Sequence, residues 1–279
     1  MSRINELKIV KIAYKSSPYA LGIITFFISI IPEKTFLAYK FLSTFSNEIN
    51  VAVNRLICCG LIFILTAIVA GIYLKYKKSI CVYGEGYAIE IKYGDLFEMH
   101  DCKKVVSFDE CFTTVIGEAP SEIKTKSICG QYLTKHPITD EEITKLIEKV
   151  NLKPLPTKSS YKKQIRYESG KIIPKDDYLL MAFAKLDKDG LGILTYEEFL
   201  ECLSVLWKEI NKYYSYTDVC IPILGAGVTR IGDTLLTQQE LLNIIIESYK
   251  LSAHKIKNPH KLRIICKESK DFSLLNFIV

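Results

Sequence analysis

The apolar positions of this chain fall into two regimes. Up to about residue 78 they run in continuous blocks, and beyond it they alternate or recur at strand and helix spacing. From Leu56 to Leu74 the chain reads LICCGLIFILTAIVAGIYL, about 19 residues without a charge, which is the length that crosses a bilayer core. Arg55 precedes this block and Lys75, Lys77 and Lys78 follow it, flanks that a buried soluble helix does not need. An earlier block, Tyr19 to Ile31, ends at Pro32 and reaches about 16 residues when extended back through Ser16 and Ser17. It reads as a second span whose marginal lysines snorkel, with an interfacial helix as the competing reading. A cleavable signal peptide fits less well, because Pro-Glu-Lys stands where a small-x-small cleavage site belongs.

Arg3, Lys8, Lys11 and Lys15 precede the first block, and lysines follow the second, while Glu33, Lys34, Lys40 and Glu48 nearly balance between them. The positive-inside bias then sets both termini in the cytoplasm around a short external connector. Ala67 and Gly71 form a small-xxx-small pair that permits close helix approach, although such pairs are common in any membrane helix. The expected layout is a cytoplasmic segment 1–16, a transmembrane hairpin 17–78 with helices near 17–32 and 55–75, and a cytosolic domain 79–279.

Beyond the lysines, Ile80 to Tyr83, Tyr87 to Tyr93 and Val105 to Phe108 read as strands. Asp140 to Val150 predicts a helix capped by Thr139 or Asp140, with Ile143, Leu146 and Ile147 on one face. Residues 151 to 175, rich in Lys, Pro and Ser, predict a long surface loop, either a solvated face or a lid over an anionic ligand. Tyr178 to Leu186 suits a strand buried on both faces. Thr195 with Glu198 makes a capping box that opens a helix carrying Phe199, Leu203, Leu206 and Ile210. Val219 to Leu224 is another buried strand, followed by a helix with Leu241, Leu242, Ile245 and Ile246, the strand Leu262 to Cys266, and a short apolar tail from Phe272. Strand, helix, strand, helix, strand implies an α/β domain whose mostly parallel sheet is covered on both faces.

Composition narrows the chemistry. Nine cysteines stand without a C-x-x-C pair, as in a reducing compartment rather than a disulfide scaffold. The net charge of +6 is partly juxtamembrane, and no basic strip with interleaved aromatics marks a nucleic-acid surface. His100, His136, His254 and His260 lack metal-ligand spacing, and neither G-x-S-x-G nor a Walker A motif occurs. Asp187 to Glu198 (DKDGLGILTYEE) matches a calcium loop at several positions, but Leu191 occupies a ligand position. An ordinary turn into a helix is expected there, with no metal.

The most informative stretch is Cys220 to Arg230, CIPILGAGVTR, in which a buried strand runs into Gly225-Ala226-Gly227. Small residues after a strand let main-chain N–H groups approach a phosphate, and ligands of open parallel sheets sit beyond the strands' carboxyl ends. Alone, this is as well read as a tight turn. Gly94-Asp95-Leu96 follows the strand IEIKY, and VVSFDECF leads toward Ser127-Ile128-Cys129-Gly130-Gln131, a second glycine loop.

In this order, together with Tyr167 and Gly170, these pieces resemble the divergent macro domain of Thoeris antiphage effectors of the transmembrane–macro type. The resemblance spans nearly the whole chain and implies a macro-like three-layer fold. It also implies a TIR-domain partner enzyme that makes an ADP-ribose conjugate from NAD, histidine-linked, whose binding drives self-association and membrane damage at the bacterial inner membrane. By position, Asp95 and Leu96 are expected at the adenine, Gly130 and Gln131 along the phosphate cleft, and Gly225, Ala226, Gly227, Val228 and Thr229 around the diphosphate, with Arg230 adding charge. Asp109 stands where this family is expected to carry Asn, and Cys129-Gly130-Gln131 replaces a glycine triplet. Both departures favour binding without catalysis over a membrane-tethered ADP-ribosyl hydrolase.

Overall fold

The computed structural model describes residues 2–37, 46–119, 121–232, 235–269 and 272–274. The connector residue Lys40 and the end of the apolar tail lie outside the described residues. The chain divides into two compact units at the junction of Lys78 and Ser79.

The first unit holds α1 (Ser2–Ile30), α2 (Glu33–Leu37) and α3 (Asn47–Tyr76), with α1 packed along α3. Both long helices begin well before the expected starts, because the polar residues ahead of each apolar block are themselves adequate helix formers. Pro18 lies inside α1, where its missing N–H would orphan the Tyr14 carbonyl; the Ser17 hydroxyl donates to that oxygen at 2.7 Å. Hydroxyls deeper in the apolar stretches are likewise satisfied within their own helix, Thr25 on Leu21 O at 2.8 Å and Thr66 on Ile62 O at 2.7 Å. Among the described residues one helix, over Asn47–Tyr73, is long and apolar enough to cross a membrane, and Ser16–Ile30 is apolar but shorter. Leu56, Leu61 and Leu65 stand exposed on the long one. A Cβ on Gly71 would meet nothing within 4 Å, so the Ala67–Gly71 pair makes no close helix approach here.

The second unit carries a nine-stranded mixed sheet. Its strands are β1 (Ser79–Gly84), β2 (Tyr87–Tyr93), β3 (Cys102–Asp109), β4 (Ile172–Lys175), β5 (Tyr178–Leu186), β6 (Gly192–Leu194), β7 (Asp218–Pro222), β8 (Arg230–Ile231) and β9 (Leu262–Cys266). The order is β1-β2-β9-β7-β3-β5-β6-β8, with β4 also on β5. The five strands from β2 to β5 are mutually parallel, whereas β1, β4 and β6 join antiparallel. Parallel strands are buried on both faces, which is why β5 and β7 are apolar apart from Lys185 and Asp218.

Helices cover both sides. On one, α4 (Ile128–Lys135) and α5 (Asp140–Lys149) bury Tyr132, Leu133 and Ile143 against Val106, Phe108, Leu180 and Ala182. On the other, Phe199 of α6 (Tyr196–Tyr213) meets Phe183 edge-on at 6.2 Å, and Trp207 meets Tyr249 of α7 (Gln238–Leu251) at 4.9 Å. Capping boxes open α5, α6 and α7, each a Thr paired with the Glu three residues on.

Two local readings change, and a third gains a short strand. The predicted loop 151–175 ends in the strand β4, disguised by Pro174 on an edge. Ser127–Gln131 is the capped first turn of α4 rather than a glycine loop, with Ser127 Oγ accepting from Gly130 N at 3.0 Å. The Asp187–Glu198 stretch is the expected turn into a helix, with β6 inside it and with Asp187 and Glu198 held by protein partners. Asp187 Oδ1 accepts from Asp189 N and Leu191 N, while Glu198 caps α6 and pairs with Lys185.

Candidate functional site

All five parallel strands present their carboxyl ends along one edge, and a cleft of about 410 Å³ runs there. Its wall follows the sheet order: Gly94-Asp95-Leu96 after β2, Ile265 and Lys267 at β9, Pro222 to Thr229 after β7, Asp109 at β3, and Ala184 with Leu186 at β5.

At the β2 end, Asp95 caps a short 3₁₀ turn, its Oδ1 accepting from Phe97 N at 2.9 Å. No protein donor reaches its Oδ2 among the described residues. Leu96 is buried beneath, against Cys102, Cys220 and Ile265.

The loop after β7 forms the middle. Gly225 adopts φ +83°, a region that favours glycine, and a Cβ there would sit 2.3 Å from Ile231 Cδ1. Gly227 differs: a Cβ on it would meet nothing within 4 Å, and Val228 beside it is 79% exposed. Gly225 is therefore required by the fold, whereas the fold places no demand on Gly227. Facing this loop, Lys126, Ser127, Ile128 and Cys129 bring the amino end of α4 to the cleft, where helix-dipole charge and first-turn N–H groups attract anions.

At the far end, the β3 ladder shifts register between Phe108 and Asp109 and turns the Asp109 carboxyl into an Asx turn. Oδ1 accepts from Cys111 N at 2.8 Å and Thr113 N at 3.3 Å, and Oδ2 accepts from the Thr113 hydroxyl. Burial raises the Asp109 pKa against the opposing pull of these donors. Glu110 points away and is fully buried, accepting from Ser159 Oγ at 2.6 Å, Leu186 N at 3.2 Å and Arg166 Nη1 at 3.1 Å. It thereby ties the long 151–171 loop to β3 and β5.

Two loops close the distal end. In the β3–α4 loop, Lys124 donates to the Gly117 and Ala119 carbonyls, so its ammonium braces its own loop. Gly130 allows α4 to press on that loop, since a Cβ would lie 2.2 Å from Lys124 O. Opposite, Gly190 at φ +82° lets the β5–β6 turn reach Ser121, 2.5 Å from its hypothetical Cβ.

Of the residues expected from sequence, the structure brings Asp95, Leu96, Asp109, Gly225, Ala226, Gly227, Val228 and Thr229 to the cleft wall. It places the others elsewhere. Gly130 is buried behind the wall, Gln131 donates to Lys126 O at 3.0 Å on the exposed side, and Arg230 lies exposed on β8, paired with Ile193. Sequence reading missed Thr113, Ser121, Ser127, Gly190 and Lys267. Asp109 four residues before Thr113, and Ser127 three before Gly130, were the legible signals of a turn and a helix cap.

A three-layer domain with a ligand-sized cleft across the carboxyl ends of its parallel strands is a ligand-binding α/β domain. The model of the family described as Thoeris protein ThsA, Macro domain, matches residues 89–267. A Thoeris protein ThsA of Bacillus amyloliquefaciens (strain Y2) is 32% identical over 231 residues, covering 80% of this chain and 76% of the relative. The chain belongs to the ThsA family of Thoeris antiviral defence proteins. Solved structures similar to it include an Oceanobacillus iheyensis macrodomain with ADP (10% identity, TM-score 0.44, covering 69% of this chain and 90% of that one). Another is the Thermosipho africanus DarTG in complex with ADP-ribose (12% identity, TM-score 0.40, covering 71% and 46%).

Proposed function

We propose that the cleft binds an ADP-ribose-type nucleotide, histidine–ADP-ribose made by a partner TIR-domain enzyme, and that binding switches on a membrane-anchored defence effector. The observation that carries this reading is the Gly227 loop. Its glycine has open space where a side chain would stand, opposite the amino end of α4. Main-chain amides and a helix dipole then converge on one anion, as a diphosphate requires. Asp95 Oδ2 is left for the adenine amino group, and Asp109 and Thr113 meet the hydroxyls of the distal ribose.

Asp109 acts as an acceptor, not as a base. Three protein donors already hold its oxygens and fix the carboxyl in its turn, so in this reading the site binds the nucleotide without hydrolysing it. The response is delivered by the amino-terminal helices as an inner-membrane hairpin, with the macro domain in the cytoplasm. Signal binding favours a self-associating state, and clustered hairpins breach the membrane and end the infected cell. A ligand shifts this equilibrium only by its differential affinity for the two states.

Calorimetry of the full chain in detergent with ADP-ribose and histidine–ADP-ribose tests the reading. Saturable binding of the conjugate, tighter than of ADP-ribose, is expected. Absence of binding by both at millimolar concentration refutes it, and release of free histidine during the titration replaces the reader by a hydrolase.

A further inference from the structure

The parallel strands β3 and β7 place two cysteines side by side beneath the adenine end of the cleft. Cys102 Sγ and Cys220 Sγ are 2.9 Å apart, both unbridged, in a small apolar cluster closed by Leu96 and Ile265 with Ile128 and Met99 packed on it. A disulfide needs about 2.05 Å between sulfurs, so closure asks for a movement of less than about one ångström. Lys104, Arg263 and Asp218 are the charged groups that act on the pair, two cations against one anion. We propose that Cys102 and Cys220 form a dithiol modification site that a hydroperoxide oxidises to a disulfide, and that closure weakens nucleotide binding in the adjoining cleft.

Geometry assigns the roles. Cys102 keeps 6% of its surface accessible and Cys220 keeps none, so a small oxidant reaches Cys102 first. The Cys220 thiol donates toward Cys102, which lowers the Cys102 pKa and raises that of Cys220; burial opposes the first effect, and Lys104 and Arg263 support it. The Cys102 thiolate attacks one peroxide oxygen, the O–O bond breaks, and hydroxide leaves to become water, giving a sulfenic acid. Cys220 sulfur then attacks the sulfenic sulfur; the S–S bond forms, the S–O bond breaks, and a second water leaves with the Cys220 proton. Two thiols are oxidised and one peroxide is reduced to two waters. In a reducing compartment such a bond is transient and suited to sensing.

The effect on the cleft follows from shared walls. Leu96 and Ile265 share the apolar cluster of the sulfur pair, Ile128 packs against that cluster, all three also line the cleft, and Gly94 N donates to Cys266 O at 3.1 Å. Drawing β3 and β7 together at this point shifts the floor under Asp95. This second half rests on the nucleotide-binding reading above; the chemistry of the thiols does not.

The test treats the full chain in detergent with hydrogen peroxide, blocks remaining thiols with N-ethylmaleimide, and maps peptides by mass spectrometry. The exposed Cys81 serves as internal control. The expected result is a cross-linked Cys102–Cys220 peptide, reversed by dithiothreitol, that forms at or below the dose modifying Cys81. In Cys220→Ser, Cys102 is expected to be trapped by dimedone as the sulfenic acid. ADP-ribose affinity is expected to fall about fivefold or more on oxidation and to recover on reduction, with no peroxide effect in Cys220→Ser. Both thiols remaining alkylatable at a dose that consumes Cys81 overturns the modification site. A disulfide with unchanged affinity overturns the coupling. Reduced protein that binds no ADP-ribose refutes the functional reading, and peptide mapping still decides the chemistry.

Discussion

Two glycines with one residue between them in the loop after β7 are expected to separate folding from binding. Gly227→Glu introduces a carboxylate where a Cβ meets nothing within 4 Å, so the fold accepts it and a surface-type change of within about 0.5 kcal/mol is expected. Two unit charges about 4 Å apart at an effective dielectric near 20 repel by about 4 kcal/mol. Salt and solvent at this half-open loop reduce that to about 2 kcal/mol, or about a 30-fold loss of affinity for a diphosphate. Gly225→Ala reverses the outcome. Its φ of +83° disfavours an L side chain, and the new methyl meets Ile231 Cδ1 at 2.3 Å, a flexible tip that can turn aside. About 2 kcal/mol of destabilisation is expected, or about 4–8 °C in Tm for a domain of this size. Thermal melts and calorimetry with ADP-ribose on both variants give the answer. Should Gly227→Glu bind as the parent does, or should it unfold while Gly225→Ala melts normally, the assignment of this loop is wrong.

Three further outcomes follow from the same geometry. Asp109 has its folded pKa raised by burial, so the stability it contributes is full below its unfolded pKa near 3.8 and is lost as pH rises through the folded value. Asp109→Asn removes that loss, and melts of the two proteins across the window above the ordinary carboxylate range should show the variant gaining relative stability as pH rises. Glu110→Gln leaves Arg166 facing a neutral amide in a buried setting; because Arg166 is partly exposed, about 2–3 kcal/mol and a Tm lower by about 5–10 °C are expected. Calcium should leave the melting curve unchanged, since Asp187 and Glu198 are engaged by protein donors; a calcium-dependent rise in Tm would contradict that.

What the sequence disclosed depended on whether each element answers to its own residues. Tyr87–Tyr93, Tyr178–Leu186 and Leu262–Cys266 coincide with the predicted strands residue for residue, because each is a short apolar or alternating run whose few charged residues, Glu90, Lys92, Lys185 and Arg263, fall at partly exposed positions. The Thr195–Glu198 box marked α6 for a similarly local reason. Strands β4 and β6 escaped because their stability comes from pairing with β5 and their own residues, Ile-Ile-Pro-Lys and Gly-Ile-Leu, carry no period. The site divides the same way. Gly225 to Thr229 was legible as small residues after a buried strand, whereas the distal wall depends on Ser121 meeting Gly190 across nearly 70 residues of chain. Gly130 attracted notice for a ligand but serves the approach of α4 to Lys124. The first helix shows the limit of length as a criterion, for its apolar part, Ser16–Ile30, stays short while the helix itself extends back to Ser2.

The strand β8 consists of two residues only, Arg230 and Ile231, matched to Ile193 and Leu194 of β6. Those few ladder bonds, each worth about 1 kcal/mol net, moor the loop after β7 to the sheet's outer margin. Because β6 continues directly from the turn that carries Gly190, both shores of the cleft are fastened to the same three-residue strand.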